Sequence, residues 1–259
     1  MIMSKKSRNE KIREYATYAL GFAAMFATWH LLTKAFPSVL FPTPTAVIAK
    51  AIELAQTGAL WENLGVSLGR IFSGFLVGVS IGIPVGLIMG NFHFMRRLLE
   101  PFTEFLRFIP SVAMITVAVI WFGIGEFSKV FLIAYTTVFI VIISTAAGVM
   151  SIHIDKIRAA QTLGASRAQI FLFVSLPAAM PGILTGLRVA MGNSFTTIVA
   201  AEMVAADTGL GTMLWHGRLF MLIDQIFVAL LILGLVGFLA DRVFRVAIRY
   251  FGGKYSAVI

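Results

Sequence analysis

The chain is expected to fold as an all-α, polytopic membrane bundle with six transmembrane helices, and three observations predict it. Of its 259 residues, 59% are hydrophobic and 13% charged, with a mean hydropathy of +0.91, whereas soluble domains carry about 25% charged residues. The apolar residues gather in runs of about 20 or more, the length a helix needs to cross a bilayer. Lys and Arg crowd the segments on one side of those runs, as the positive-inside rule requires.

The first fourteen residues hold Lys5, Lys6, Arg8, Lys11 and Arg13 ahead of an apolar run from Tyr15 to Phe36. A secretory leader has an apolar region of about 7 to 15 residues and a small-residue cleavage site. This run is about 22 residues long, enough for a tilted span, and reads as a retained anchor helix over 15–36. Pro37, Pro42 and Pro44 mark an external connection, followed by a short amphipathic helix near Thr45 to Gln56 that is too polar to span. Trp61 suits the interface. A second span, Asn63 to Gly90, opens a core over 60–250. This span carries Gly74, Gly78, Gly82, Gly86 and Gly90 at intervals of four, a smooth stripe that lets another helix approach closely.

Residues 91–100, with Arg96 and Arg97, return the chain to the membrane. Span three runs from Pro101 to Gly123 with Glu104, Arg107 and Pro110 in its first third, and ends in a tight turn at Gly123-Ile124-Gly125-Glu126. Span four covers Ser128 to Met150. Span five covers Pro177 to Ala206 and has a small-residue ladder of its own, Gly182, Gly186, Ala190 and Ser194. Residues Asp207 to Asp224 form an external loop with a short helix, and span six, Gln225 to Ile248, leads into Arg242, Arg245, Arg249 and Lys254.

Between spans four and five lies the most distinctive segment, a loop over 151–176 with two amphipathic helical patterns hinged at one glycine. Asp155 is placed as an N-cap. Ile157, Ala160 and Leu163 return at helical spacing, and Gly164 permits a left-handed turn. Ser166 begins a second helix, with Gln169 three residues on to close a capping box. Leu176 and Pro177 end the element and open the next span. Ala159 and Ala160 put little side chain on the crown, so the elbow can enter a groove on another protein.

The spacing Arg158-Ala159-Ala160, three residues, Gly164, nine residues, Val174, one residue, Leu176-Pro177 resembles the EAA loop of bacterial ABC importer permeases, with Arg158 where that family has Glu and Val174 where it has Ile. The runs Glu104-Phe-Leu-Arg107 with Pro110, Trp121-Phe-Gly-Ile-Gly125, Gly186-Leu-Arg188 and Ala200-Ala-Glu202 look like the taurine, alkanesulfonate and nitrate branch. The resemblance implies a type I importer permease fold, a single permease domain over 1–259 and a second copy of the permease. It also implies two cytoplasmic ATPase subunits and a periplasmic or extracellular solute-binding protein. The loop would insert into a groove on the ATPase, a coupling role for Asp155, Arg158, Ala159, Ala160, Leu163, Gly164, Ala165, Ser166 and Gln169. No GxxxxGK[ST] sequence occurs, so this chain cannot cradle ATP in a P-loop. ATP and Mg belong to the partner, and the chain is expected to have no cofactor and no catalytic residue of its own.

Of the 21 Lys and Arg residues, 14 fall in the proposed cytoplasmic segments and 2, Lys50 and Arg218, in the external ones. Both termini and the elbow are therefore expected in the cytoplasm of a bacterial cell, with the chain multi-pass in the inner membrane. The net charge of +9 does not gather on one soluble face with interleaved aromatics, which argues against nucleic acid. The chain has no Cys, and His30, His93, His153 and His216 lie far apart, so no metal site is expected.

Charges and polar groups within the spans are candidates for the translocation path: Arg70, Glu104, Arg107, Arg188, Asn193, Ser194, Thr196, Thr197 and Glu202. A cation at mid-membrane costs roughly 2.5 to 3.5 kcal/mol, so each Arg should face protein or water. Pairing with Glu104 or Glu202 is the structural alternative to an anion path. For the cluster from Asn193 to Thr197 the alternatives are polar glue between helices and the lining of a pore, with lining preferred because the four residues cover more than one face. The expected cargo is a small organic anion, taurine or an alkanesulfonate first, with nitrate, bicarbonate or a pyrimidine-like vitamin precursor as alternatives. An ion-coupled secondary transporter is the rival of another class, but it should show inverted repeats and would not need the elbow.

Overall fold

The computed structural model describes residues 8–36 and 40–252. Lys5, Lys6, Pro37 and Lys254 lie outside them, as do the side chains of Arg8, Lys11, Arg13 and Arg249. Every regular element among the described residues is helical: α1 (Arg8–Ala35), α2 (Pro44–Gln56), α3 (Ala59–Asn91), α4 (His93–Arg107), α5 (Ser111–Phe122) and α6 (Glu126–Met150), followed by α7 (Ile154–Thr162), α8 (Arg167–Ile170), a π-helical turn (Phe171–Ser175), α9 (Leu176–Ala205), α10 (Leu210–Leu219) and α11 (Ile223–Gly252).

The centre of the bundle is α3, α6 and α9, and small residues bring them together. A Cβ at Gly82 would stand 2.8 Å from the Cβ of Val141, and one at Gly86 2.6 Å from that of Thr145, closer than side chains approach. Gly74, Gly78 and Gly90 face Ile133, Thr137 and Val149 in the same way. The partners advance in step along both helices, so α3 and α6 run parallel, each glycine receiving a β-branched side chain. Across the other face of α6, Gly182 lies on Gly148 and Gly186 on Ser144, an antiparallel order for α9. In lipid no hydrophobic force draws helices together, so this close packing supplies the association.

A second core closes the end of the bundle where α3 begins. Val47 of α2, Leu60 of α3, Leu210, Met213 and Leu214 of α10 and Val228 and Ala229 of α11 are buried together. Trp29 of α1 stacks on Phe227 and donates its indole N–H to Pro42 O at 3.1 Å. The remaining apolar surface is extensive and outward-facing, including Leu76, Ile81, Ile120, Leu235 and Val246, as lipid contact requires.

Among the described residues four helical stretches are long and apolar enough to cross a membrane, Ala59–Asn91, Glu126–Met150, Arg167–Ala205 and Ile223–Ile248, and the bent pair α4 with α5 reaches the same length and apolarity only when taken together, as a broken span or a re-entrant loop. The segment expected as an anchor is helical in α1, but Thr17, Tyr18, His30 and Lys34 dilute its apolar character and it does not rank with these four. Two expectations need correction. Span three does not begin at Pro101 and is not one helix: α4 starts at His93, includes Pro101 as an interior residue, and meets α5 at 98°. The break falls where Ile109 precedes Pro110, since proline drives its predecessor out of the α region. Span five does not begin at Pro177 either. Helix continues from Arg167 through the π turn to Ala205, 39 residues in all, with the π turn Phe171–Ser175 directly ahead of Pro177, where the missing proline N–H interrupts the ordinary i→i−4 ladder.

Candidate functional site

At the elbow, α7 and α8 meet at a right-sized hinge that the sequence specifies residue by residue. Gly164 adopts φ +80°. Its N–H donates to Gln161 O at 2.9 Å, and the Ala165 N–H donates to Ala160 O at 3.0 Å, the paired bonds of a Schellman motif. Ser166 and Gln169 then form a complete capping box: the Ser166 N–H donates to Gln169 Oε1 at 2.8 Å, and the Gln169 N–H to Ser166 Oγ at 3.3 Å. Asp155 is not the N-cap. His153 holds that position without a side-chain bond, and Asp155 in the first turn lies 3.0 Å from His153 Nδ1, where an acid favours the helix N-terminus.

The elbow is not enclosed by its own bundle. No residue of α7 is buried, Arg158 and Ala159 are exposed and Ala160 partly so. Leu163 is 87% exposed and Phe173 75%. Behind it, an apolar cavity of about 660 Å³ separates Ile157, Gln161 and Phe171 from Leu87 and Ile88 of α3. The result is a rigid, outward knob with an exposed leucine at its tip.

At the opposite end of the bundle the predicted charges form a staple. Arg70 is buried, and its guanidinium donates through Nε and Nη2 to the two oxygens of Glu126 at 2.6 Å each. Its Nη1 reaches Glu202 Oε1 at 2.8 Å and Thr208 O at 2.6 Å. Glu202 also accepts from Ser67 Oγ and from the Gly211 N–H at 2.9 Å, and Ser67 Oγ in turn accepts from the Leu210 N–H. Gly209, at φ +134°, leaves no room for a Cβ beside the Glu202 carboxylate. A buried carboxylate with this many donors is fully satisfied. The staple ties α3, α6, α9 and the loop before α10 into one piece.

Arg188 does not reach Glu104 or Glu202. It bonds Asp241 of α11 at 2.6 Å, and Arg245 shares the same carboxylate. Glu104 and Arg107 pair with each other on α4 at 2.6 Å, both partly exposed, with the guanidinium 4.3 Å from the Phe108 ring centre. The cluster from Asn193 to Thr197 is divided. Ser194 bonds back to Ala190 O and lies 3.3 Å from Thr137 Oγ1, Thr197 lies 3.3 Å from Thr136 Oγ1, and these two hold α9 to α6. Thr196 is exposed, and Asn193 turns to a cavity of about 320 Å³ at the α4–α5 break, beside Arg107, Ser111, Tyr135 and Thr136.

The functional partners that sequence reasoning missed are Glu126, Asp241, Ser67 and Tyr135. Glu126 lies 56 positions from Arg70 and Asp241 53 from Arg188, so no periodicity joins them. The one available signal was that Glu126 and Glu202 both close apolar runs at the end where Arg70 sits.

Residues 82–253 match the family model described as "binding-protein-dependent transport system inner membrane component". The chain is 38% identical to a probable ABC transporter permease protein of Brucella melitensis biotype 1 over 93% of this chain and 98% of that protein. It is 41% identical to the taurine transport system permease protein of Escherichia coli, covering 87% and 85%, and 33% identical to a nitrate import permease protein of Synechocystis, covering 86% and 84%. Among solved structures, the bacterial alginate ABC transporter in complex with an alginate-bound periplasmic protein matches with a TM-score of 0.65 at 15% identity, over 95% of this chain and 98% of that one. At that identity the likeness concerns the fold.

Proposed function

The chain belongs to the family of binding-protein-dependent transport system inner membrane components, as an ABC importer permease, and from that premise we propose that it forms the path for a small organic anion, taurine or an alkanesulfonate first. The relatives named for taurine and for aliphatic sulfonates support this cargo. Nitrate is the second reading, favoured by the Synechocystis relative. The whole chain acts as one permease domain in the inner membrane. The positive-inside asymmetry orients it with both termini and the elbow in the cytoplasm.

The observation that carries the mechanism is the exposed elbow joined without interruption to the 39-residue helix Arg167–Ala205. A groove on a cytoplasmic ATPase takes the knob, and closure of the ATPase pair moves the lever. ATP is hydrolysed in that partner, where its Mg also sits, since this chain has no Walker sequence. A second permease copy completes the path, and an external solute-binding protein delivers the cargo. Asp155, Arg158, Ala159, Ala160, Leu163, Gly164, Ala165, Ser166 and Gln169 form the coupling surface. Arg107 and Asn193 line the path, with Glu104 as the counter-ion of Arg107. Arg70, Glu202, Arg188, Ser194 and Thr197 hold its walls in register, and Thr196 faces outward from α9. Uptake of labelled taurine into vesicles containing the permease, ATPase and binding protein should require ATP on the elbow side. Uptake that persists without ATP and follows an imposed ion gradient would instead favour a secondary transporter.

A further inference from the structure

We propose that the cavity at the α4–α5 break is an anion station of the permease itself, holding a small oxyanion of the sulfonate or nitrate kind between Arg107, Asn193 and the start of α5. The inference rests on the importer reading and deepens it, because that reading leaves selection to the external binding protein.

Position comes first. Tyr135 and Asn193 lie well inside α6 and α9 rather than at their ends, and the Tyr135 hydroxyl donates to Leu106 O at 2.6 Å, which fixes the broken end of α4 at that depth. The cavity of about 320 Å³ falls at the small end of ligand sites, roughly 300 to 1,000 Å³. Charge comes second. Among its described lining residues Arg107 alone is charged and no carboxylate faces the space, so a cation has nothing to meet there.

Third, the donors are unspent. Both Nε and Nη2 of Arg107 go to a single oxygen of Glu104, leaving Nη1 without a partner among the described residues. The Asn193 carboxamide and the Ser111 hydroxyl are likewise unbonded among them, and the N-cap of α5, Pro110, supplies no side-chain bond. The Ala113 N–H donates to Pro110 O at 3.0 Å, so the N–H groups of Ser111 and Val112 are the ones left open among the described residues, at the helix's positive end. A guanidinium, a carboxamide and a hydroxyl lining one space at the start of a helix suit an oxyanion. Ile109, Phe139, Ile140 and Ile143 complete the lining and fit a short alkyl tail. The cavity of about 390 Å³ beside Arg188 differs in that the pairing carboxylate, Asp241, itself lines the space, whereas Glu104, which pairs with Arg107, does not line the first cavity.

The test is equilibrium binding of labelled taurine, with ethanesulfonate and nitrate as competitors, to the full-length permease purified with its ATPase partner in nanodiscs, without the binding protein. Saturable binding is expected, displaced by either anion. It should weaken by about tenfold or more in Arg107→Gln and in Asn193→Asp, recover in part in Arg107→Lys, and stay unchanged in Arg242→Gln, whose guanidinium sits over Phe238 on α11. Should Arg107→Gln fail to fold, Asn193→Asp decides alone, since it keeps side-chain size and adds a repelling charge. No saturable binding tighter than about 10 mM, or equal binding by wild type and Asn193→Asp, overturns the station. ATP-driven uptake, measured separately with the binding protein present, distinguishes the two ideas: uptake without permease binding sinks the station alone, whereas binding without any ATP-driven anion uptake supports the station and sinks the importer reading.

Discussion

At the scale of single residues, the decisive chemistry is the burial of Arg70 against Glu202. Their side chains are 4% and 0% exposed, while Glu126, the other carboxylate on Arg70, is 62% exposed. Removing one partner of a buried pair leaves an uncompensated charge and costs about 3 to 5 kcal/mol, whereas an exposed partner contributes about 0 to 1 kcal/mol. Arg70→Gln should therefore lower the thermal unfolding midpoint of the detergent-purified chain far more than Glu126→Gln. Equal losses would mean that the exposed carboxylate, and not the buried one, holds the staple. The sequence exposed half of this arrangement. Arg70 and Glu202 stand out because each is a charge in an apolar run, and Glu202 was one of two partners proposed for the arginines. Glu126 escaped notice because it sits in a turn, where an acid is unremarkable, and only the parallel docking of α3 on α6 brings it to Arg70. The same logic hid Asp241 from Arg188, since i,i+4 spacing on α11 points Asp241 to Arg245 and says nothing of a second helix.

Among the elements, α3 shows how fully a pattern can dictate packing. Its glycines at intervals of four predict a close helix contact, and the structure supplies Ile133, Thr137, Val141, Thr145 and Val149 of α6 as the receiving row. Sequence reasoning found the stripe but not its partner, because β-branched residues at the same interval are ordinary in any apolar helix. Gly82→Leu should force the two helices apart, with an overpacking cost of about 1 to 3 kcal/mol or more. By contrast, Gly69 has nothing within 4 Å of a Cβ, so Gly69→Ala should be neutral or gain up to about 1 kcal/mol in helix propensity. Unfolding midpoints of the two variants check this directly, and a loss in Gly69→Ala comparable to that in Gly82→Leu would refute the ladder. Prolines were less legible than glycines. Pro84, Pro101 and Pro181 sit inside helices that continue through them, Pro177 follows a π turn within the continuous stretch Arg167–Ala205, and Pro110 marks a sharp break between α4 and α5.

For the whole molecule, the proposed coupling turns on how force applied at the elbow would reach the far end. The elbow projects from the bundle, so its tip contributes little to the chain's own stability: Leu163, at 87% exposure, loses almost no buried area if replaced. In a groove on the ATPase the same side chain would bury fully, worth about 1.5 to 3 kcal/mol, or roughly tenfold or more in affinity. Leu163→Glu should therefore leave expression, membrane insertion and unfolding midpoint unchanged while reducing ATPase capture and substrate-stimulated hydrolysis by about tenfold or more. Gly164→Val should act differently. A β-branched residue at φ +80° costs at least about 1 to 2 kcal/mol, and the Schellman bonds that set the angle between α7 and α8 would yield, so the knob would still bind but at the wrong pitch. Uptake should then fall more than ATPase capture does. A molecule in which Leu163→Glu transports normally, or in which both variants lose binding and uptake in the same proportion, would not be using a tip to dock and a hinge to transmit. The lever would then have to be sought elsewhere than in the continuous helix from Arg167 to Ala205.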